Sequence, residues 1–300
     1  MKQNKAPLII LTAITIYIFK NSIVIQESIL NGCNMFFTKV FPSLFPMMIL
    51  TDCFVYFDVP NIIFKYLGNT FQHLFGLSSH GIFAFLTSTF SGSPANAYLL
   101  KNLVEKQYLS NEEASRILSY AFFSNPLFLY SMLSFIFPND FITVIKLLLL
   151  PYFINILIGI GMRKSNYINV FLEQEKKNDF GVMISQSIRN TMNTLLFVLG
   201  AICLFFLLNR IINPNNVAFF SGILEISQGL NSFIGIEMAH FWKEILISIL
   251  ISFGGLSIHL QIKGILSDTN ISYFSFLKGR MIQCILSVFT LCLIDFLMTF

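Results

Sequence analysis

The chain has 300 residues, of which 55% are hydrophobic and only 11% charged, and its formal net charge is +4. Soluble domains carry about 25% charged residues, and a soluble fold of this size needs far more polar surface to face water. The composition therefore excludes an ordinary soluble domain and predicts an all-α polytopic membrane protein whose main partner is the lipid bilayer. No block of basic residues indicates nucleic acid, so we expect the charges to set topology.

Several kinds of chemistry lack their sequence signatures. The five cysteines are scattered without a CxxC pair, which indicates neither a metal site nor a disulfide framework. The sequence contains no GxxxxGK[ST] phosphate loop, no HExxH and no GxSxG element. Because the four histidines form no motif either, we expect a protein that is not an enzyme and that uses no metal and no cofactor.

Charge-poor runs predict about eight membrane segments, because a spanning helix needs about 20 mostly apolar residues. Residues 6–25 form the first run, which we interpret as an uncleaved helix because no A-x-A cleavage site follows it closely. Residues 60–77 place apolar positions at helical spacing between polar ones, which fits an interfacial amphipathic helix or an ordinary connecting helix. The remaining runs are residues 34–57, 81–100, 117–139, 141–162, 190–209, 217–233, 246–262 and 281 to the end.

Four of these runs are interrupted by Gly, Pro and polar residues. Open backbone at membrane depth is tolerated only against protein or a watery cavity, and broken helix ends can bind ions or polar solutes. Any single break could equally be a structural kink, but several breaks with polar side chains favour a binding site. The candidate binding residues are Ser91, Gly92, Ser93, Pro94, Asn96, Ser124, Asn125, Pro126, Glu225, Gly229, Gly254, Gly255, Ser257, His259 and Gln261.

Titratable residues inside the runs are costly in lipid and usually face an interior cavity. Glu225 is the leading acidic candidate for a cation or proton site, with an interfacial position as the alternative. His259 could titrate near neutral pH, or it could be a hydrogen-bonded core histidine. Asp52 and Asp295 lie near the ends of their runs, so we expect them to be interfacial anchors.

The two halves of the chain share an order of features: a long apolar helix, a shorter segment, a Gly-broken run and another long apolar stretch. Such an order predicts an internal repeat, which is common in transporters. With a cytoplasmic N-terminus and a re-entrant hairpin at residues 81–100, most basic residues lie inside and the repeat is inverted, although Lys243, Lys263, Lys278 and Arg280 then lie outside. The predicted divisions are an N-terminal transmembrane helix (1–30), a first repeat (31–162), a cytoplasmic loop (163–184) and a second repeat (185–300).

Four short motifs follow one another along the chain: FPSLFP at 41–46, SGSP at 91–94, NPLF at 125–128 and SFGGLSIHLQ at 252–261. In this order they resemble the YlbJ-type sporulation integral membrane proteins, over about residues 35–295. That group is similar to the nucleoside-recognition or Gate-domain membrane proteins. The chain departs from the family pattern at two positions: Asn96 stands at the second Gly of the family's SGxPxGA pattern, and Asn125 precedes Pro126 where the family tends to have Ser-Pro.

The resemblance implies a Gate fold with broken or re-entrant helices, a role in bacterial endospore formation, and a place in the forespore or mother-cell membrane. It carries over no nucleoside substrate. Two functions remain open. One is a secondary transporter or permease that binds an unidentified small solute, with a coupling ion, where the breaks meet. The other is a non-transporting scaffold for spore-envelope assembly, with copies of this chain or other sporulation membrane proteins as partners.

Overall fold

The computed structural model describes residues 6–164 and 179–298, and within these ranges every regular element is helical. This confirms the predicted all-α class. Of the predicted cytoplasmic loop (163–184), residues 165–178 lie outside the described residues, and residues 180–184 belong to a helix instead of the loop. The α-helices are α1 (Ala6–Lys20), α2 (Ser22–Met35), α3 (Phe41–Tyr56), α4 (Val59–Phe75), α5 (Ser79–Ser91), α6 (Ala95–Glu105), α7 (Asn111–Tyr120), α8 (Pro126–Ile136), α9 (Phe141–Gly161), α10 (Phe180–Ile212), α11 (Ala218–Leu224), α12 (Ile226–Ser232), α13 (His240–Phe253), α14 (Gly255–Ile265) and α15 (Tyr273–Met298).

Five stretches of the described residues are long and apolar enough to cross a membrane. The other predicted segments are shorter or interrupted helices, so the number of such stretches is smaller than the eight segments that we predicted. The five are Ser22–Tyr56, Phe141–Gly161, Phe180–Ile212, His240–Ile265 and Tyr273–Leu297.

The first helices have different boundaries from the predicted runs. Helix α1 ends at Lys20 and has 15 residues, fewer than the roughly 20 that span a bilayer. The next helix begins at Ser22 and continues through a π-helical turn, Phe36–Val40, to the end of α3. The polar residues that separate the two apolar runs are therefore part of one 35-residue helix. Lys39 consequently lies near its middle instead of near a span end.

Each half of the chain contains two interrupted helices followed by one long helix. In the first half, α5 and α6 are separated at Gly92, α7 and α8 are separated by residues 121–125, and α9 follows. In the second half, α11 and α12 meet at Glu225, α13 and α14 meet at Gly254, and α15 follows. All four interruptions coincide with the Gly, Pro and polar motifs that predicted them.

The α11–α12 pair forms a tight hairpin. Its two helices have seven residues each, so each is only about 10 Å long and cannot cross a bilayer. They pack against each other through Gly222 and Gly229, where a side-chain carbon on Gly229 would overlap the backbone of Gly222. Gly229 is therefore required by the close approach of the two helices.

A charged cluster joins the beginnings of α9 and α13. His240 lies between two carboxylates, with Nε2 2.9 Å from Asp140 Oδ2 and Nδ1 3.2 Å from Glu244 Oε1. Lys146 Nζ completes the cluster 2.6 Å from Glu244 Oε2. The backbone N–H of Thr143 donates to Asp140, and this hydrogen bond is the main reason why the pKa of Asp140 is lowered. These contacts fix the two helices relative to each other.

Helix α10 has 33 residues, and it packs along α2, α3 and α14. At its contact with α2, the Sγ atoms of Cys33 and Cys203 are 3.6 Å apart. We predict that mild oxidation of the protein in membranes joins these two thiols in an intramolecular disulfide, because only a small shift separates them from bonding distance. Peptide mass spectrometry would detect the cross-link, and Cys33→Ser should abolish it. Absence of the cross-link, or a preferred bond to another cysteine, would contradict the α2–α10 packing.

Candidate functional site

The interruption between α7 and α8 leaves successive backbone carbonyl groups without helical hydrogen-bond partners. Donors from other elements form hydrogen bonds to these carbonyls instead. The carbonyls belong to residues 121–123. The first accepts from Asn96 Nδ2 at 2.6 Å, the second from Asn155 Nδ2 at 2.6 Å and the third from the Ser93 N–H at 2.9 Å. An unmet carbonyl in lipid costs several kcal/mol, so these three donors allow the chain to remain open at this depth.

The two interruptions of the first half pack directly on each other. Gly92 has a φ of +72°, and a side-chain carbon there would lie 2.8 Å from the Asn125 nitrogen. Asn125 begins α8 because its Oδ1 accepts from the N–H groups of Leu127 and Phe128, at 3.0 and 3.2 Å. Pro126 follows at the first helical position, which suits a residue without an N–H. Glycine is therefore required at the first break for the close approach of the two breaks, and asparagine at the second break caps the start of α8.

The two interruptions of the second half are in contact as well. Gly255 has a φ of +80°, and a side-chain carbon there would lie 3.0 Å from the Ile226 nitrogen, beside Glu225. Gly254 has a φ of +87°, and a carbon there would lie 2.6 Å from the ring of Phe122, in the break of the first half. The pair Gly254–Gly255 thus permits contact with breaks in both halves of the chain.

Residues of three interruptions line one cleft, together with Ile258 and Gln261 of α14, the helix that follows the fourth interruption. The cleft contains about 640 Å³ of space, part of which is open to the surroundings. Its apolar wall includes Phe122, Phe123 and Phe128. The residues predicted as ligands that do line it are Ser93, Pro94, Ser124, Asn125, Glu225 and Gln261.

The other predicted residues lie beside the cleft and do not line it. Ser257 is fully buried and accepts a hydrogen bond from Gln261 Nε2 at 3.0 Å, so it positions a cleft side chain. His259 has partners on both ring nitrogens, the Tyr273 hydroxyl at 2.8 Å and the Phe253 carbonyl at 3.1 Å. This arrangement corresponds to the core-histidine alternative. The remaining residues form the breaks or pack around them: Ser91, Gly92, Asn96, Pro126, Gly229, Gly254 and Gly255.

Three polar residues of the cleft were not among the predicted ligands: Lys39, Ser43 and Ser227. Lys39 lies in the π-helical turn, a distortion that is frequent at functional sites. The sequence feature that could have identified Lys39 is a lysine inside an apolar run. The predicted run 34–57 places Lys39 near its start, whereas the helix begins at Ser22.

Glu225 lies at the tip of the α11–α12 hairpin and is 4% exposed. Its Oε2 accepts from the Gln228 N–H at 2.9 Å and from the Ser227 hydroxyl. In the described part of the chain, neither Glu225 nor Lys39 belongs to an ion pair, and Oε1 of Glu225 accepts no hydrogen bond. Oε1 is therefore free to accept a hydrogen bond from a bound solute.

Arg280 supports the cleft from behind. It is fully buried in α15, one of the helices long and apolar enough to cross a membrane. Its guanidinium is 4.2 Å from the centroid of the Phe122 ring and donates to the carbonyls of Ser119 at 3.0 Å and Ser252 at 3.4 Å. These carbonyls lie at the C-terminal ends of α7 and α13, where the helix dipole favours a cation. Arg280 thus holds two interrupted helices together.

A second cavity lies between α2, the end of α10 and the α11–α12 hairpin, and contains about 620 Å³ of space between protein atoms. It is lined mainly by polar groups. Gln228 of α12 lines this cavity, whereas Glu225 at the tip of the hairpin lines the central cleft. The hairpin therefore has one cavity on each of two sides. The polar lining residues are Glu27, Ser28, Asn31, Asn209, Arg210, Asn213, Asn216 and Gln228.

One known protein is similar to most of the chain. The sporulation integral membrane protein YlbJ of Bacillus subtilis (strain 168) is 26% identical over 302 aligned residues, which cover 86% of this chain and 74% of that protein. No family model and no solved structure matches the chain. This similarity and the apolar helices long enough to span a bilayer identify the chain as an integral membrane protein.

We predict that Asn96→Leu destabilises the protein by about 1–3 kcal/mol, because it leaves a buried carbonyl without its donor at nearly unchanged side-chain volume. Thermal unfolding of the purified protein in detergent should show a midpoint about 5 °C lower. Asn190→Leu, at an exposed position of α10, is the matched control and should leave the midpoint unchanged. Equal midpoints for the two variants would show that Asn96 does not close the α7–α8 break.

Proposed function

We propose that the protein is a secondary transporter of the permease type, with a Gate-like arrangement of broken helices, that moves a small solute during bacterial spore formation. The observation that supports this most strongly is the cleft lined by three interruptions and by α14, whose first residues contact the other breaks. Known secondary transporters bind their substrates between discontinuous helices near the bilayer midplane. A scaffold has no comparable need for open backbone at membrane depth, since every break requires buried donors to offset its cost.

The order of elements supports an internal repeat in this proposal. Two interrupted helices and one long helix occur in each half, so we pair α5–α6 with α11–α12, α7–α8 with α13–α14, and α9 with α15. In each half, the first break packs against the second, through Gly92 in one and Gly255 in the other. An inverted relation between the halves would provide two similar gates around one site, as alternating access requires.

The α11–α12 hairpin is the element that we propose as the moving gate. The hairpin is short, and it lies between the central cleft and the second cavity. Its helices contact each other through glycines, so the hairpin can move as a unit without repacking side chains between them. A solute would pass from one cavity to the other when the hairpin shifts.

The cleft favours a small organic solute with both an apolar face and hydrogen-bonding groups. Its phenylalanine wall suits a flat or apolar surface, and Asn125 and Gln261 can each donate and accept hydrogen bonds. Ser93 Oγ is buried and has no partner among the described residues. One acidic and one basic side chain, Glu225 and Lys39, line the same space, which fits a solute with no net charge. We propose binding and movement without covalent chemistry.

The link to sporulation rests on the Bacillus subtilis relative, whose name places it in that process. We test transport with membrane vesicles that contain the protein or lack it, incubated with a small-molecule extract of sporulating cells as the probe. Mass spectrometry of the washed vesicles should reveal at least one compound that accumulates only with the protein.

We predict that Glu225→Gln weakens this accumulation about tenfold to a hundredfold, because a hydrogen bond to a charged group contributes about 1.5–3 kcal/mol. Glutamine keeps a side-chain oxygen for the Gln228 N–H, so the hairpin should still form. Leu149→Ile, at an exposed apolar position of α9, is the control and should transport normally.

Two results would contradict the permease proposal. One is that no compound accumulates with the protein. The other is that spores form normally with Glu225→Gln and Asn125→Leu although both variants insert. A scaffold would instead tolerate both changes and fail when the exposed surface of α4 is altered, for example by Tyr66→Ser.

A further inference from the structure

Asp52 lies near the end of a predicted span and does not line the cleft. It is 6% exposed and lies where α3, α6 and α10 meet. Its carboxylate accepts from Asn102 Nδ2 at 3.1 Å, from the Tyr98 hydroxyl at 3.1 Å and from the Ser187 hydroxyl at 2.6 Å. Within the described residues, no basic group lies within 4.0 Å of it. A buried carboxylate in a membrane protein is thus surrounded by neutral oxygen- and nitrogen-bearing groups.

The three partners of Asp52 lie on two helices. Tyr98 and Asn102 are one turn apart on α6, and Ser187 lies on α10, one turn before Thr191. Thr191 is fully buried beside the Tyr98 hydroxyl, and its own hydroxyl oxygen has no hydrogen-bond partner among the described residues. A buried hydroxyl without a partner is costly, and it indicates that another group belongs here.

We propose that Asp52 is the centre of a sodium-ion site. Hard cations prefer oxygen ligands, and this cluster can supply them from the carboxylate, three hydroxyls and one amide. The hydroxyl groups that now donate to Asp52 can rotate to direct their lone pairs at an ion, and the Asn102 amide can turn over to present its oxygen. One Na⁺ would neutralise the one carboxylate, which removes the cost of an uncompensated buried charge. A divalent ion would leave a net positive charge in the same surroundings.

The Asp52 cluster is connected to the cleft by the three helices that form it. Helix α3 carries Leu44 of the cleft wall and then Asp52, about 12 Å further along. Helix α6 begins directly after Pro94 of the cleft and reaches Tyr98 one turn later. Helix α10 contributes Ile202 to the cleft and Thr191 to the cluster. Ion binding would therefore order the elements that shape the solute site. The assignment of Na⁺ as the coupling ion rests on the proposed transport function, whereas ion binding itself does not.

The test measures thermal unfolding of the purified full-length protein in detergent while NaCl replaces choline chloride at constant ionic strength. We expect the midpoint to rise by about 5 °C along a single saturation curve, since a ligand bound only by the folded state stabilises it. KCl should produce a smaller rise. Asp52→Asn should abolish the Na⁺ response, and Thr191→Val, which keeps the side-chain shape, should weaken Na⁺ binding about tenfold if one ligand contributes about 1.4 kcal/mol.

Glu225→Gln is the matched control, because it removes a buried carboxylate from the cleft and should keep the full Na⁺ response. If Asp52→Asn does not fold, Thr191→Val alone decides the question. The proposal is overturned if Na⁺ and choline give the same midpoint, or if Thr191→Val responds like the wild type. A Na⁺ response without solute accumulation in vesicles would refute transport and leave the site intact. Accumulation without a Na⁺ response would refute the site alone.

Discussion

The structure depends on one constraint: a backbone that opens inside a bilayer must find its hydrogen-bond partners within the protein. The α7–α8 interruption meets this constraint with donors from three other elements, the side chains of Asn96 and Asn155 and the backbone of Ser93. Arg280 does the same for carbonyls at the ends of α7 and α13. Because these donors come from other parts of the chain, the breaks are stable only when they are packed together. Their meeting in one cleft follows from that requirement.

The same contacts explain why particular residue types occur around the cleft. Gly92, Gly254 and Gly255 have positive φ angles and lie so close to neighbouring breaks that a side chain would displace them. Phe122 lies between Gly254 and Arg280 and forms part of the cleft wall, so the support of the breaks and the surface offered to a solute share one side chain. Some polar side chains of the cleft, above all Glu225, use only part of their hydrogen-bonding capacity to satisfy the backbone. In our proposal, the solute binds to the groups that remain unused.

Much of this arrangement could be predicted from the sequence, because Gly, Pro and Asn inside apolar runs have few explanations other than interrupted helices. The positions of the breaks and their meeting follow from such local signals. The sequence could not separate residues that line the cleft from residues that support it: Asn96 and His259 have the same polar character as Asn125, and only their contacts distinguish them. The Asp52 cluster was missed because its members come from three distant helices, and no local pattern joins them.

The central claim is that residues from three breaks, and from α14 after the fourth, face one cleft that polar molecules can enter. The direct test places single cysteines at Ser93, Ser124, Ser227 and Gln261 in a cysteine-free background and measures their reaction with a small hydrophilic thiol reagent in native membranes. The account predicts that all four react and that a bulky reagent bound at one of them protects the other three. Cysteines at the exposed, apolar α9 positions 149 and 153 should stay unreactive. If the four cleft positions react no faster than those two, or independently of one another, the breaks do not share a cleft and the account is wrong.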